Sequence, residues 1–457
     1  MTLEAISTKK RIGYFQLSTL VMLAFCLAFY PRVLTALKFP SIVNLLHLGI
    51  VPWVCVFTLS KTRTKNKKQI AISKAIFWAM ILLFTVMIAS ALLNSAGVIN
   101  VIVDFLLLGE PFMMLLAIIS IPMSEARVKQ LRTLVIGSGF VNTLFAFVQR
   151  YVLNMQLLVG LEDNIKGVFI AQGAGHVIGS SVALTFGIYY FINTKNVPIW
   201  IRASVLFATF WHMLLADAKQ VLLALLVAWL LLLLTKFKDI AQALKYLTVA
   251  IIVFLVLGWC IENVPAFGAF KTWIRPEIYG PDGEATRLKL ATFRIVPTYY
   301  HSPLNPLLGL GPGHTVGRLG GWMLGEYDFL LKPLGSTRHP ASLAVWGAAA
   351  ASWLGNQSSM FSPLFGWAGI WGDLGFLGLA AYLYLWFLVW HYLCVNDVSR
   401  FLVLSIFVFG LIFSQMEEPG YMLFVVSLIG LQWQETRLRA NNANFSMNYA
   451  TYYSNPI

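Results

Sequence analysis

Three glycines stand at alternate positions in the stretch NPLLGLGPGHT, residues 305–315. Gly309, Gly311 and Gly313 are followed directly by His314, and closely spaced glycines often let a backbone loop approach a phosphate. A dinucleotide loop needs a preceding strand and a following helix, and a triphosphate loop needs Gly-Lys-Ser or Gly-Lys-Thr, so neither class fits this stretch. Two interpretations remain open. The stretch is either a flexible turn at the water interface or a close backbone approach to a lipid-linked phosphate, with guanidinium groups nearby.

Basic residues next to apolar stretches form a second group of candidates. Lys219 lies in ADAKQ, two residues after Asp217, between two apolar runs. This arrangement fits either a solvated ion pair in a tight turn or a lysine directed at an anion above the membrane. The stretch EDNIKGVFIAQGAGH places Lys166 and His176 on the same predicted side.

The acidic residues give weaker indications of function than the basic ones. Asp104 and Glu110 fall within an apolar run, where they serve either as a proton or ion site or in a structural role, since Pro111 follows at once. Glu417 and Glu418 are predicted to form an external turn. No HExxH, no GxSxG and no clustered carboxylate–histidine set occurs, so neither a metal nor another cofactor is expected. Chemistry would then depend on basic residues, which suits departure of a pyrophosphate whose growing negative charge must be stabilised.

The chain that contains these candidate residues is unusually apolar. Of its 457 residues 58% are hydrophobic and 11% are charged, whereas a soluble domain has about a quarter charged residues. Stretches such as VLLALLVAWLLLLL lie within apolar segments of roughly the 17–25 residues that a spanning helix needs. Because lipid offers no hydrogen-bond partners to the backbone, these segments are predicted to be helices. The sequence therefore predicts an all-α polytopic membrane protein.

About twelve membrane spans are predicted. They cover residues 14–30, 41–60, 76–97, 101–123, 133–153, 174–194, 200–216, 219–235, 246–262, 366–391, 401–415 and 419–433.

The distribution of positive charge predicts the orientation of the spans. The net charge of +14 would suggest a nucleic-acid partner in a soluble protein. Here the lysines and arginines fall mainly in alternate short loops, for example 127–132 and 195–202, as membrane orientation requires. These loops, and with them both termini, are predicted to be cytoplasmic, and no nucleic-acid partner is expected.

One long external loop divides the predicted domains. A nine-helix membrane region (1–263) precedes a large periplasmic loop (264–365) that contains the glycine stretch and many cations, Arg318 among them. A three-helix region (366–433) and a cytoplasmic tail (434–457) follow. Within the loop, residues 343–354 are helix-prone but too short to span, which predicts a re-entrant or interfacial helix. Loops of this length usually have a function.

Several motifs resemble the O-antigen ligase and O-antigen polymerase superfamily. The twelve spans, the large loop between the ninth and tenth, ATRLKLATF and NPLLGLGPG are similar to that family. GDLGFLGLAAYLYLW resembles its acidic-x-Gly-x-x-Gly opening of the following span. DAKQVLLALL stands where the family has a basic residue opening the eighth span, and KGVFIAQGAGH is similar to its basic-x-Gly-x-Phe segment. The topological resemblance covers almost the whole chain, although the motifs are short.

The resemblance implies roles for individual residues. The first basic position that engages pyrophosphate falls on Lys219, where a point charge replaces the bidentate arginine usual in the family. The second basic position falls on Arg287, or on Arg294 if the motif is aligned differently. The family's histidine, a proposed base or acceptor-positioning group, has no match in SSMFSPLFGWAGIWGD. His339 fills the role if residues 343–365 are an insertion, and His314 is the alternative. Lys219, Arg287 and His339 form the implied catalytic set, and the implied substrate-binding residues are Arg294, Lys166, His314, Arg338, Gly311 and Gly313.

The resemblance also implies an activity and its partners. It implies a metal-independent, inverting glycosyltransferase in the bacterial cytoplasmic membrane. The expected donor is an undecaprenyl-pyrophosphate-linked oligosaccharide, and the acceptor is a growing glycan on the periplasmic face. A flippase and a chain-length regulator are expected as further partners. A polysaccharide polymerase is favoured over a ligase that transfers O-antigen to lipid A-core, because the histidine region is atypical. A lipid-linked oligosaccharide transporter is the alternative from another class, although the sequence has no repeated halves.

Overall fold

The computed structural model describes residues 16–62, 64, 66–157, 162–170, 173–236, 240–273, 275–355, 361, 363, 366–412 and 414–454. Some predicted positions lie outside the described residues: 14–15 of the first span, 413 of the eleventh, several in the external loop (274, 356–360, 362, 364–365) and 455–457 of the tail. About 81% of the chain is helical, and the described residues contain no strand, so the protein is all-α.

Twelve helices of at least 13 residues occur in the described part of the chain. In chain order they are α1 (Leu17–Phe29), α2 (Leu46–Lys61), α3 (Lys67–Asn94), α4 (Val98–Ser120), α5 (Glu125–Phe147), α6 (Gly175–Asn193), α7 (Ile199–Leu215), α8 (Lys219–Leu234), α9 (Ile240–Asn263), α10 (Gly366–Tyr392), α11 (Asp397–Ile412) and α12 (Pro419–Ser454).

Seven helical segments are long and apolar enough to cross a membrane, which indicates a membrane-spanning protein. They are Ser41–Lys61, Lys67–Asn94, Val98–Ser120, Glu125–Val152, Gly175–Asn193, Leu244–Asn263 and Gly366–Tyr392.

Local sequence explains where α3 begins and how closely α6 and α7 pack. The side chain of Asn66 caps α3 by accepting a hydrogen bond of 3.1 Å from the backbone nitrogen of Gln69. At the crossing of α6 and α7, a Cβ on Gly187 would overlap the hydroxyl of Thr209. A glycine is therefore needed there, as is common where membrane helices approach closely.

The core centres on α4, which packs against α2, α3 and α12. Its Phe112 contacts Trp386 of α10, with ring centroids 4.8 Å apart, and both side chains are fully buried. Aromatic pairs of this kind stabilise a core beyond the area that they bury. The same helix also carries the buried polar residues Asn100, Asp104 and Glu110, and Asn100 lies in its first turn, at one end of the bundle.

The segment between α9 and α10 folds into short helices at that end. Among them are Glu284–Lys289, Ala291–Ile295, Asn305–Leu308 and Pro340–Ala350. The last of these overlaps the stretch predicted to form a short helix. The segment contacts the end of α3 through Asn94 and the beginning of α4 through Gly97. It therefore covers the end of α3 and the beginning of α4.

Candidate functional site

The glycine-rich loop pairs with the first half of α10. The backbone nitrogen of Leu310 donates to the carbonyl of Gly372, and that of Gly311 donates to the carbonyl of Asp373, both at 2.9 Å. The Asp373 carboxylate then accepts from the backbone nitrogens of Gly313 at 3.0 Å and Thr315 at 2.7 Å. Successive backbone amides of this kind form an anion-binding concavity. In this structure a carboxylate of the protein itself occupies it.

Backbone conformation explains why these positions are glycine. Gly309, Gly311 and Gly313 have φ values of 72°, 108° and 70°, which side chains disfavour. Gly375 of α10 has φ 64°, and a Cβ there would overlap the backbone of Leu307. Glycines on both partners thus allow the two backbones to approach each other.

Asparagine side chains tie the same loop to α3 and α4. Asn94 donates to the carbonyl of Gly309 at 3.1 Å, and the fully buried Asn100 donates to the carbonyl of Pro312 at 2.9 Å. Asn100 also accepts from the backbone nitrogen of Thr337 at 3.0 Å. The loop is therefore held on two sides rather than being free at a water interface.

His314 and His339, the two alternatives for one role, lie side by side. His314 is 3% exposed, and burial lowers its pKa to about 4. Its Nδ1 donates to the carbonyl of Leu310 and its Nε2 accepts from the hydroxyl of Thr337, both at 2.8 Å. His339 is half-buried, and its Nδ1 accepts from the backbone nitrogen of Ala341 at 3.1 Å, which caps helix Pro340–Ala350. Burial also lowers the pKa of His339.

Lys219 and Lys166 belong to a charged group at the beginnings of α6 and α8. Lys219 is 9% exposed and forms an ion pair with Asp217, which adopts the left-handed backbone conformation. Lys166 interacts electrostatically with His176 and Asp163, and burial lowers the pKa of Lys166. Asp217 also acts on His176, so the structure brings the two predicted lysines into one group.

The three predicted arginines of the loop are exposed. Arg287 lies 3.9 Å from Asp282, and its carbonyl accepts a hydrogen bond of 2.7 Å from Arg294. Arg338 pairs with Asp328 at 2.6 Å. Arg287 and Arg294, the two alternatives for the second basic position, therefore contact each other. Among the described residues, no contact joins Arg287 to Lys219.

Glu417 and Glu418 are buried at a short turn. A 3₁₀ turn forms at Gln415–Glu417, and Glu417 is 3% exposed and Glu418 is 4% exposed. Their partner is Arg318, which forms an ion pair with Glu418 and donates its backbone N–H to Glu417 at 2.5 Å. The Arg318 guanidinium thus pairs with Glu418, a hundred positions later in the chain, as a buried carboxylate requires.

The buried charge extends to α2 and α4. Glu110 pairs with His47 at 2.8 Å, and Asp104 interacts electrostatically with Asp373 and Glu417. Glu110 therefore has a hydrogen-bonding partner within the protein. Sequence reasoning gave no role to Arg318 or His47, whose partners are distant in sequence.

Within the part of the chain that the structure describes, no group of three or more His, Cys, Asp or Glu side chains is placed to hold a metal ion. Known protein-family models do not match the chain, and neither do curated proteins.

Proposed function

We propose that the chain is a membrane-embedded polysaccharide polymerase. It would transfer a glycan from an undecaprenyl-pyrophosphate donor to a lipid-linked acceptor sugar on the periplasmic face of the bacterial cytoplasmic membrane. One observation carries the proposal. Two of the separate stretches on which the family resemblance rests, NPLLGLGPG and GDLGFLG, pair directly through Leu310–Gly372 and Gly311–Asp373. The resemblance thus corresponds to one structural unit rather than to two unrelated short matches.

In the proposed reaction Lys219 and Arg287 hold the donor pyrophosphate. Charge stabilisation matters most because negative charge accumulates on the departing polyprenyl pyrophosphate. Lys219 is already paired with Asp217, so an incoming phosphate would share this cation with the carboxylate. Arg294 contacts the carbonyl of Arg287 and would add a second guanidinium in this proposal.

The geometry of His339 favours a positioning role over that of a base. Its Nδ1 lone pair accepts the hydrogen bond from Ala341, so in the neutral ring the proton resides on Nε2. An Nε2–H group donates to an acceptor hydroxyl and does not remove its proton. His339 therefore orients the acceptor sugar in this proposal, and loss of Arg287 should impair transfer more than loss of His339.

Glycan profiles of a deletion strain test the function. Loss of long chains, with single repeats still attached to lipid A-core, is expected if the chain is a polymerase. A lipid A-core that lacks all repeats would identify a ligase with the same donor, and an unchanged profile would exclude both activities.

Complementation tests the residues. Wild-type protein should restore the long chains, whereas Arg287→Ala and Lys219→Ala should not. Arg127→Ala is the matched control because Arg127, near the start of α5, contacts Gln130 and none of the candidate residues. Equal restoration by Arg287→Ala and Arg127→Ala, at equal protein levels, would refute the role of Arg287.

A further inference from the structure

An apolar patch covers part of the segment between α9 and α10. Four large apolar side chains there each leave 39% to 48% of their surface exposed, namely Leu290, Phe293, Leu304 and Leu307. They belong to, or directly precede, the two short helices Ala291–Ile295 and Asn305–Leu308, and both helices pack on α10. A contiguous group of exposed apolar side chains marks a surface of interaction.

Helix Asn305–Leu308 lies against α10 at the point where α10 is kinked. Gly375 has φ 64° at the kink, and because it has no side chain the backbone of Leu307 lies directly against it. Phe376 and Leu377, the next two residues of α10, are 55% and 46% exposed. Leu307 therefore lies next to exposed apolar residues of α10.

Aromatic contacts join helix Ala291–Ile295 to the same part of α10. The ring centroid of Phe293 lies 4.9 Å from that of Trp371, and the centroid of Trp371 lies 6.4 Å from that of Phe376. From Phe376 onwards, exposed apolar side chains continue along one face of α10 at helical intervals, at Leu383, Tyr384 and Phe387. The patch is therefore continuous with the exposed face of α10.

This continuity indicates which partner covers the patch. The helix α10 is one of the seven segments that are long and apolar enough to cross a membrane, so its exposed apolar face suits contact with lipid. Because the patch extends this face, the same lipid is expected to cover it.

Positive charges beside the patch support lipid as the partner. Leu290 follows Arg287 by three positions and precedes Arg294 by four, and the backbone nitrogen of Arg294 donates to the carbonyl of Leu290 at 3.1 Å. The backbone is thus helical here, and the three residues share one side of it. Both arginines are exposed. Exposed cations next to apolar side chains are typical of segments that lie in the membrane interface, where the charge stays among the lipid headgroups.

We propose that this lipid-contact surface, formed by Leu290, Phe293, Leu304 and Leu307, is inserted into the bilayer leaflet nearest the kink of α10. The segment is then a membrane-contacting element and not a loop that lies wholly in water, and it is separate from the interfacial helix predicted at 343–354. Its partner is the phospholipid of the surrounding membrane. The inference does not depend on the proposed function, although a polyprenyl-linked donor would approach Arg287 from the same leaflet.

Nitroxide labels on the full-length protein in phospholipid vesicles test the proposal. Molecular oxygen concentrates among the acyl chains, whereas a water-soluble nickel chelate stays in water, so the ratio of their collision rates with a label reports its surroundings. Leu304→Cys and Leu307→Cys carry the label in a protein whose four native cysteines are replaced by alanine. Asp282→Cys is the reference for water, because the Asp282 side chain is 97% exposed, and Phe387→Cys on α10 is the reference for lipid.

The oxygen-to-nickel ratio at positions 304 and 307 should exceed the ratio at 282 severalfold and approach that at 387. A ratio equal to that at 282 would overturn the proposal, because it would place the surface in water. Low collision rates with both reagents would also overturn it, since a protein partner such as a second copy of the chain would then cover the surface.

Two controls keep this result interpretable. Thermal unfolding of each labelled variant checks that the fold is retained. If the cysteine-free protein is unstable, the same substitutions are made in the wild-type chain, and the signal of its labelled native cysteines is subtracted. The measurement requires no glycan transfer, so its outcome is separate from that of the polymerase proposal.

Discussion

The imidazole rings of His314 and His339 stack, with their centroids 5.3 Å apart and their planes 24° apart. Their environments differ despite this contact. Both nitrogens of His314 bond within the protein, whereas one nitrogen of His339 caps a helix and the other lies on the opposite edge of the ring. The two alternatives from the sequence thus share one location, and His339 is the better candidate for contact with an acceptor.

Substitutions of His339 should separate its capping role from any contact with substrate. Asparagine is a good N-cap residue, so His339→Asn should retain the stability of helix Pro340–Ala350, whereas His339→Ala should lose about 1 kcal/mol. Both variants should reduce glycan extension, because neither presents the imidazole edge. Thermal unfolding and glycan profiles provide the two readouts. Full activity of the asparagine variant would show that His339 acts only as a helix cap.

The buried His314 predicts loss of stability in mild acid. Its folded-state pKa of about 4 lies below the unfolded value of about 6.5, so the unfolded chain takes up a proton first. The contribution is complete above pH 6.5 and is lost as the pH falls towards 4, with a magnitude on the order of a few kcal/mol. His314→Asn retains a donor for Leu310 but does not titrate there. Its unfolding temperature should fall less between pH 7.5 and 5 than that of the wild type, and an identical fall would contradict the prediction.

Glu417 predicts the opposite trend at high pH. Burial raises its pKa to about 8, so the protonated acid is favoured in the folded state. Its stabilising effect is complete below pH 4.5 and is lost as the pH rises through 8. Glu417→Gln mimics the protonated acid and retains an acceptor for the Arg318 amide. The variant should therefore lose less stability than the wild type between pH 7 and 9, whereas Glu125→Gln, on the exposed start of α5, should behave as the wild type does.

Gly375 and Gly347 differ in whether the backbone requires a glycine. Gly375→Ala should destabilise the protein by more than about 2 kcal/mol, because φ is 64° and the new Cβ would overlap the backbone of Leu307. Gly347 lies inside helix Pro340–Ala350 with open space around it, so Gly347→Ala should be neutral or should stabilise the protein by up to about 1 kcal/mol. Unfolding temperatures of the two variants, measured side by side, check the contrast. Similar stabilities would show that α10 adapts to a side chain at position 375.

The positions of the helices could be predicted from the sequence because lipid requires apolar, internally hydrogen-bonded segments. The predicted span 366–391 coincides with α10 to within one residue, and 219–235 coincides with α8 equally closely. The hydropathy and length of seven segments support spanning, and the number twelve remains a prediction.

The partners of the candidate residues could not be predicted from the sequence in this way. The glycine spacing indicated a special loop, but nothing local identifies Asp373, about sixty residues later, as its anion. The burial of Glu417 likewise depends on Arg318, which nothing near Glu417 in the sequence identifies as its partner. The sequence shows Arg318 only as one of many loop cations, because its partners Glu417 and Glu418 lie about a hundred residues later.

The attachment of the glycine-rich loop to helices on both sides has a consequence for biosynthesis. Asn94 and Asn100 emerge early from the ribosome, but their partners Gly309 and Pro312 follow 215 and 212 residues later. At usual translation rates this interval is roughly 10 to 40 seconds. During that time α3 and α4 expose polar groups at their ends, which water or an insertion factor must satisfy. The polar centre of this protein is therefore completed only after α10 and the turn before α12 have been synthesised, so a nascent chain arrested after α9 should be a substrate for membrane quality control.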